Sequence, residues 1–566
     1  MNYSLMDTLW VLSGIIMIFL MQAGFAALET GFNRAKNAVN IIMENMVGLV
    51  VAVLCFWAIG YGLLFGTDIG GIIGMPDAFA VRISQKVRAI SPDAFLLFEM
   101  LFCATAVTII SGATAERIKF SGYILYVALI SMIVYPVTGH WIWGGGFLQQ
   151  LGFHDLSGST AIHLVGGMAA LVCSRSIGPR LGKYNQDGTP NAIPGHNLPL
   201  SGLGVFLLWI GWFGFNTVSV ISTSDAAAEL IARTAITTCL SAVSATFIAF
   251  ILTRIRYRKT DASIIMNATL GGLVGITAGA DVVSRSGAAA IGVISGIVVV
   301  FGIEFVEKKL KVDDPVGAVS VHGFCGAIGT ICVGLLAERG GLLYEGGPKL
   351  LGVQLLGVFS AGLWSLIACN GVCFCLNKII GLRIAHNDEV AGLDSIEHGC
   401  ADAYADFMKS AVSIVSDDVE PIYPRRNIPV NTQTAPVGQE GIGLRIAGVK
   451  MTKIDIITQE SRFEKLKEAM NNIGVTGMTV SHVLGYGIQR GNTTLYRGVE
   501  MNARLLPKIR IEIIISTIPI QTVIEKAKEV LYTGHIGDGK IFVYDIENVV
   551  KIRTGEEGYF ALQDIE

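Results

Sequence analysis

Between residues 8 and 380 the chain runs through eleven apolar stretches, at about 8–30, 41–66, 93–115, 121–140, 160–178, 198–221, 226–253, 262–280, 286–306, 317–337 and 348–380. Each is close to the roughly 20 residues a helix needs to cross a ~30 Å hydrocarbon core. In that medium only a helix satisfies its backbone within one segment, so the pattern predicts a multi-pass α-helical membrane protein. Composition agrees: 15% of residues are charged, against about 25% in soluble domains. The 67 glycines suit helices that approach closely in lipid. The first stretch has no basic segment before it and runs into Glu29, Arg34 and Lys36, so a retained span is expected rather than a cleaved leader. Nearly all ten cysteines fall inside apolar runs without paired C-x-x-C spacing, which reads as small buried hydrophobes. A formal net charge of −3 lacks the basic excess of a nucleic-acid binder. No motif suggests an enzyme.

The connections set an orientation. Alternate loops carry Arg34, Lys36, Arg117, Lys119, Arg175, Arg180, Lys183, Arg254, Arg256, Arg258, Lys259, Lys308, Lys309, Lys311, Lys378 and Arg383. The opposite set has only Arg82, Lys86, Arg88, Arg285, Arg339 and Lys349. Basic loops stay in the cytoplasm, so the N-terminus is expected outside and the C-terminus inside.

Residues 409–448 hold Pro421, Pro424, Pro429 and Pro436 without hydrophobic periodicity, and read as a linker after a membrane domain at 1–408. Residues 449–566 form a charged, soluble module. Strand patterns at 453–457, 475–484, 509–516, 540–545 and 549–552, helical spacing at 460–472 and 522–532, and a polar loop at 485–502 predict βαββαβ order, the α+β ferredoxin-like arrangement.

Two histidines stand inside apolar runs in the same setting. Asp155-x7-His163-x3-Gly167 opens the fifth stretch, and Asp314-x7-His322-x3-Gly326 opens the tenth. A repeat of five helices reverses direction in the bilayer, which predicts a 5+5 inverted repeat plus one helix, with a site near the midplane. Histidine within a membrane marks a pathway or relay. The plainer alternative is two unrelated histidines that each hold neighbouring helices through a carbonyl. Two histidines without a third ligand do not complete a common metal site.

Gln22–Glu29, Gly112–Arg117, Trp143–Gly146, Asp155-x-Ser157-Gly158-Ser159 with His163, Gly211–Asn216, Asp313-Asp314-Pro315 with His322, and Leu393-Asp394-x-x-Glu397-His398-Gly399 resemble the Amt/Rh ammonium transporter family, in order over about residues 7–408. The resemblance implies a homotrimer in the inner cell membrane, in contact with lipid, with one pore per subunit passing ammonium or ammonia. Carried onto matching positions, Trp143, Phe102 and Ser219 would recruit ammonium, and Phe102 and Phe215 would form a gate. His163 and His322 would line the pore, and Asp155 would hold the local structure and field or cap its helix. Gly317 departs from the pattern, since many members carry an acidic residue there, which puts local hydrogen bonding in question.

Residues 451–566 resemble the PII signalling proteins, through Gly477–Val480, Gly485-x-Gly487-x-Gln489-Arg490-Gly491, Leu495–Gly498, Leu506–Lys508, Gly537–Phe542 and Ile552–Glu556. That family implies adenine nucleotide bound between subunits. Thr479, Gly487, Gln489, Gly537, Asp538, Gly539, Lys540, Lys551 and Arg553 fall on nucleotide positions, and Gln489 and Lys508 on those for 2-oxoglutarate and magnesium. Ile488 stands in place of an Arg that touches phosphate, and Lys551 in place of another, which loses a bidentate fork. The nucleotide (ATP, ADP, AMP or a cyclic one) therefore stays open. Met501 stands where a modified Tyr is found in some members. Arg497 occupies the position of the loop Arg with which PII proteins block a transporter pore. The expected function is an ammonium transporter regulated by a fused nucleotide-sensing domain. The alternative is an ammonium receptor signalling through that domain, with flux incidental.

Overall fold

The computed structural model describes residues 3–81, 90–400, 403, 450–459, 462–475, 477–485, 494–496, 499–501, 506–534 and 538–562. A helical unit and a smaller α+β unit are each compact. Ten helices of the first are long and apolar enough to cross a membrane: Leu5–Phe32, Ala35–Phe65, Pro92–Thr114, Phe120–Leu151, Ser159–Ile177, Leu198–Val218, Asp225–Tyr257, Arg285–Leu310, Val319–Leu336 and Lys349–Ile379. The expected stretch at 262–280 forms a shorter apolar helix, Ala262–Ile276, and counts here as the eighth of eleven spans. At 1.5 Å per residue its 15 residues reach about 22 Å, less than a full crossing, because Thr277 ends the helix.

The first and sixth spans pack against each other along their length. A Cβ at Gly24 would meet the Leu208 backbone N at 2.9 Å, and one at Gly204 would meet the Leu28 N at 2.5 Å. Only glycine permits that approach, which dispersion between lipid-embedded helices requires. Two short helices follow the last span, His386–Ala391 and Leu393–His398. The Asp394 carboxylate accepts from Asn40 N–H at 2.8 Å and Val39 N–H at 3.1 Å, within the first turn of the helix that begins at Ala38, where a negative charge complements the helix dipole. Glu397 accepts from Phe120 N–H at 3.2 Å, and His398 Nε2 lies 2.9 Å from Asn40 Oδ1. The tail motif thus ties the starts of the second and fourth spans together.

In the smaller unit four antiparallel strands lie in the spatial order Thr479–Gly485, Leu506–Ile515, Thr452–Thr458, Lys540–Asp545. Ile509, Ile511, Ile513 and Ile515 alternate onto one face and form a core with Ile454, Ile456, Leu466, Met470, Val523 and Leu531. Helices Phe463–Asn472 and Ile520–Leu531 supply the last four of these and cover that face. This is the expected ferredoxin-like arrangement. Two local expectations are corrected. Residues 549–552 form no strand: Val550 makes a single bridge to Glu557 across a turn. The expected loop at 485–502 contains a two-stranded ribbon of Thr494–Tyr496 and Val499–Met501, whose alternation is too short to register as a period. The linker at 409–448 lies outside the described residues.

Candidate functional site

Each repeat histidine lies in a π-helical turn, Ser159–Leu164 in the fifth span and Val319–Phe324 in the tenth. Such turns are wider than α-helical ones and frequent at functional positions. His163 Nδ1 lies 3.1 Å from His322 Nδ1, with ring centroids 5.2 Å apart and planes tilted by 21°. At that distance one nitrogen donates and the other accepts. His163 Nε2 is buried without a hydrogen-bond partner.

Both halves of the repeat build this approach alike. Asp155 Oδ1 accepts from the N–H groups of Gly158 and Ser159 at 2.9 Å, and Oδ2 from Thr160 at 2.9 Å and Ala161 at 3.0 Å. These are the orphan donors of a helix start, so Asp155 is a cap. Asp314 Oδ1 accepts from Gly317 N–H at 2.9 Å, and Oδ2 from Val319 N–H at 2.8 Å. Gly158 and Gly317, each three residues past its aspartate, have φ of 100° and 85°. The backbone there is left-handed and favours glycine, which explains Gly317 and removes the doubt about local hydrogen bonding. The third motif residue is explained by close approach. A Cβ at Gly167 would lie 2.2 Å from Gly323 N, and one at Gly326 would lie 2.4 Å from the Ser159 carbonyl oxygen.

A file of rings leads to the histidines. Trp143, half-buried, lies 6.1 Å from Phe102 by ring centroids. Phe102 stacks on Phe215 at 4.4 Å and 23°, and Phe215 lies 5.9 Å from His163. Phe25 lies 6.0 Å from His322. Trp143 Nε1–H donates to the Asp155 carbonyl at 2.8 Å. Ser219, half-buried at the end of the sixth span, donates to the Phe215 carbonyl at 3.0 Å, which leaves its oxygen lone pairs for another donor. Phe102, Trp143, Phe215, His163, His322 and Asp155 are thereby brought together, with Ser219 one turn beyond Phe215.

Two residues were given no site role by the sequence reading. Trp212 stacks on His163 with centroids 5.1 Å apart and planes 19° apart, and its Nε1–H donates to Thr277 at 2.8 Å. Its spacing of three from Phe215 on one helix was the available signal. Asp314 was visible as the mate of Asp155 in the repeat.

A buried ionic latch holds the start of the tenth span. Arg180 grips Asp313 through Nε at 2.9 Å and Nη2 at 3.0 Å, and reaches Glu116 at 3.0 Å; Glu116 also pairs with Arg34. Arg117 and Ser174 both donate to the Asp313 carbonyl at 2.6 Å. Burial alone would raise the Asp313 carboxyl, but Arg180 and Arg117 beside it hold it well below the usual carboxylate range.

In the smaller unit, Asp538 folds its loop by accepting from Thr533 N–H at 2.7 Å, while its carbonyl accepts from Thr458 Oγ1 at 2.9 Å. Gly539 has φ 122°, and a Cβ there would lie 2.1 Å from the Ile457 carbonyl oxygen. Asp538, Gly539 and Lys540 line a cleft of about 510 Å³ with Ile456, Lys528 and Tyr532. Thr479 starts the opposite edge strand of the sheet, three strand spacings or about 14 Å away. Lys508 pairs with Val483 beside that edge. Arg553 is exposed in a turn, and Lys551 N–H donates to the Glu556 carbonyl at 2.8 Å. Gly487, Gln489, Arg497 and Gly537 lie outside the described residues.

Comparison with known proteins bears on the family. The chain is 39% identical over 423 residues to an ammonium transporter Amt2 of Archaeoglobus fulgidus, covering 71% of this chain and 89% of that protein. It is 34% identical over 409 residues to ammonium transporter 1 of Dictyostelium discoideum, covering 69% and 86%. A solved structure titled Sensor Amt Protein superposes with a TM-score of 0.66 at 40% identity, over 69% of this chain and 98% of that one. The fold is also that of Mep2 from Candida albicans, with a TM-score of 0.61 at 22% identity over 68% and 88%. Residues 451–556 match the nitrogen regulatory protein P-II family model, so a PII domain is present. Residues 9–403 match the Ammonium Transporter Family model, and the chain belongs to the ammonium transporter family.

Proposed function

We propose that the helical unit conducts ammonium across the membrane as ammonia through a pore lined by His163 and His322, and that the fused PII domain regulates it by binding an adenine nucleotide. The observation that carries this is the 3.1 Å contact between the two imidazoles beneath the stacked Phe102 and Phe215 rings. Trp143, Phe102 and Ser219 recruit the cation: an aromatic face attracts it by about 0.5–2 kcal/mol, and a hydroxyl oxygen accepts one N–H. A bare cation in a dry passage faces a Born penalty of tens of kcal/mol. Removing its proton at pH 7, from a pKa of about 9, costs only about 3 kcal/mol. Deprotonation is the smaller barrier, and the coupled imidazoles offer a donor and an acceptor along the passage. The basic loops support an N-terminus outside and the PII domain in the cytoplasm.

The residues of the smaller unit fit a nucleotide phosphate. The Gly539 backbone, which no side chain can cover, and the Lys540 ammonium suit an anion. Within one chain Thr479 and Asp538–Lys540 lie on opposite sheet edges, which supports a site completed by a neighbouring copy in a homotrimer. Bound nucleotide supplies the regulatory signal, and Arg497 carries it as the plug of the pore mouth. The test is uptake of labelled methylammonium by proteoliposomes containing the full chain. His163→Ala and His322→Ala are expected to abolish selective uptake, and unaltered uptake in both refutes the pore. Arg497→Ala is expected to remove the dependence of uptake on added nucleotide, and a wild-type response refutes the plug.

A further inference from the structure

The turn that carries Trp143 is built around a third histidine, separate from the pair at 163 and 322. His140, buried in the fourth span, lies one helical turn before Trp143. Its Nδ1 is 2.7 Å from the Leu64 carbonyl oxygen, in the last turn of the second span, and its Nε2 is 2.9 Å from Asp68 Oδ1. The ring thus bridges the fourth span to the end of the second and to the hairpin of Asp68–Ile69 and Ile73–Gly74 that follows it. Two more bonds fasten that hairpin here. Trp141 Nε1–H donates to the Ile72 carbonyl at 2.7 Å, and Phe147 N–H to the Gly71 carbonyl at 2.9 Å. Asp68 Oδ1 also accepts from Gly71 N–H at 2.9 Å, which closes the hairpin on itself.

After Ile142 the chain folds back over this ring. Trp143 N–H donates to the Gly139 carbonyl at 2.7 Å, and the His140 carbonyl accepts from Gly144 N–H at 3.0 Å and Gly146 N–H at 2.9 Å. A Cβ at Gly144 would lie 2.0 Å from the Leu64 carbonyl oxygen and 2.4 Å from His140 Nδ1. The backbone next to Trp143 therefore rests directly on the contact between His140 and Leu64. Gly145 has φ 99°, a left-handed turn that glycine supplies without steric cost. The Trp143 ring is aimed by this turn and by its own bond to the Asp155 carbonyl at 2.8 Å. Attraction of a cation requires it over the ring face, within about 6 Å of the centroid, so a displaced turn loses affinity.

We propose that His140 is a positioning residue for Trp143: its imidazole fixes the Trp143–Gly146 turn against Leu64 and Asp68, and thereby sets the affinity of the recruitment group without touching the cation. The inference rests on recruitment at Trp143 and names the side chain that holds that ring in place.

The experiment measures initial methylammonium uptake against concentration in proteoliposomes of the full chain. The variants are His140→Leu, Asp68→Ala, Trp143→Leu, and each of the first two combined with the third. Half-saturation is expected to rise in His140→Leu and Asp68→Ala by up to the 2- to 30-fold or so of Trp143→Leu, with the maximal rate within about twofold of the unaltered chain. Neither change is expected to add to Trp143→Leu in the double variants, because each acts through that ring. Asp68→Asn, which loses the charge but keeps an oxygen for His140 Nε2, is expected to restore most of the affinity. Wild-type half-saturation in either single variant, a rise that multiplies with that of Trp143→Leu, or a fall confined to the maximal rate overturns the proposal. Should His140→Leu not fold, Asp68→Ala, at a partly exposed residue, decides it by the same criteria. Wild-type half-saturation in Trp143→Leu refutes recruitment at that ring and this inference with it. A raised value there beside wild-type values in the other two overturns this inference alone.

Discussion

Gly167→Ala changes neither histidine, yet it is expected to abolish conduction. The new Cβ would lie 2.2 Å from Gly323 N and 2.4 Å from Gly323 Cα, where ordinary contact begins at 3.4 Å. The two half-helices must therefore recede by about 1 Å, because the clash is with backbone and no rotamer relieves it. Gly323 is the residue after His322, and His163 is one turn before Gly167, so the displacement falls on the imidazole pair. A separation of 3.1 Å grown by that amount exceeds hydrogen-bond range. Overpacking costs about 1–3 kcal/mol and the lost bond about 1 kcal/mol more, which leaves a folded protein with a lower unfolding midpoint. Methylammonium uptake by proteoliposomes, measured beside thermal unfolding of the same preparation, is the assay. Gly326→Ala, which meets the Ser159 carbonyl oxygen at 2.4 Å, is expected to behave alike. Wild-type uptake and stability in either variant would refute the claim that the glycines set the histidine spacing.

Asp155→Asn keeps the shape of the cap but leaves one oxygen for four N–H donors, setting its amide against two of them. Hydrogen bonds to a charged group are worth about 1.5–3 kcal/mol each, so a loss of about 3 kcal/mol or more in unfolding free energy and a loss of uptake are expected, with Asp314→Asn following in kind. Asp313 gives a pH prediction: its carboxyl is held below its ordinary value of 3.8, so its contribution is fully present above that value and is lost only as pH falls through the depressed one. Unfolding midpoints of the full chain are therefore expected to gain no pH dependence from this group between about pH 5 and 8, while Asp313→Asn, leaving Arg180 half-paired, loses about 3 kcal/mol.

The spans, the repeat and the histidines were legible because lipid imposes a length and a penalty that sequence displays directly. The repeat also carried Gly167 and Gly326, although their reason, backbone meeting backbone, needs the crossing geometry. Gly317 looked like a departure because residue type alone does not reveal a left-handed φ. Trp212 was hidden among other aromatics, since its role depends on which face of the sixth span meets His163. In the PII domain the alternating isoleucines gave away the sheet. The turn at 549–552 was misread because three β-branched residues in four, Val549, Val550 and Ile552, favour a strand by residue type alone.

Which species the proposed recruitment group takes decides how uptake follows pH. Below its pKa of about 9, free ammonia rises tenfold per pH unit while ammonium stays nearly constant. The half-buried Trp143 ring beside Phe102 offers a negative face that favours a cation by about 0.5–2 kcal/mol, and gives ammonia no comparable advantage. With pH equal on both sides of the vesicle and total ammonium far below half-saturation, uptake is expected to be nearly flat between about pH 6 and 8. Recruitment of ammonia itself would raise it roughly a hundredfold over that interval. Trp143→Leu then separates binding from passage: half-saturation is expected to rise about 2- to 30-fold, the equivalent of the lost ring–cation attraction, with the pH profile unchanged. A tenfold slope per unit in the unaltered chain would mean that the proton is shed before the ring is reached. The stacked phenylalanines would then gate a neutral gas, and Trp143 and Ser219 would have no part in selection.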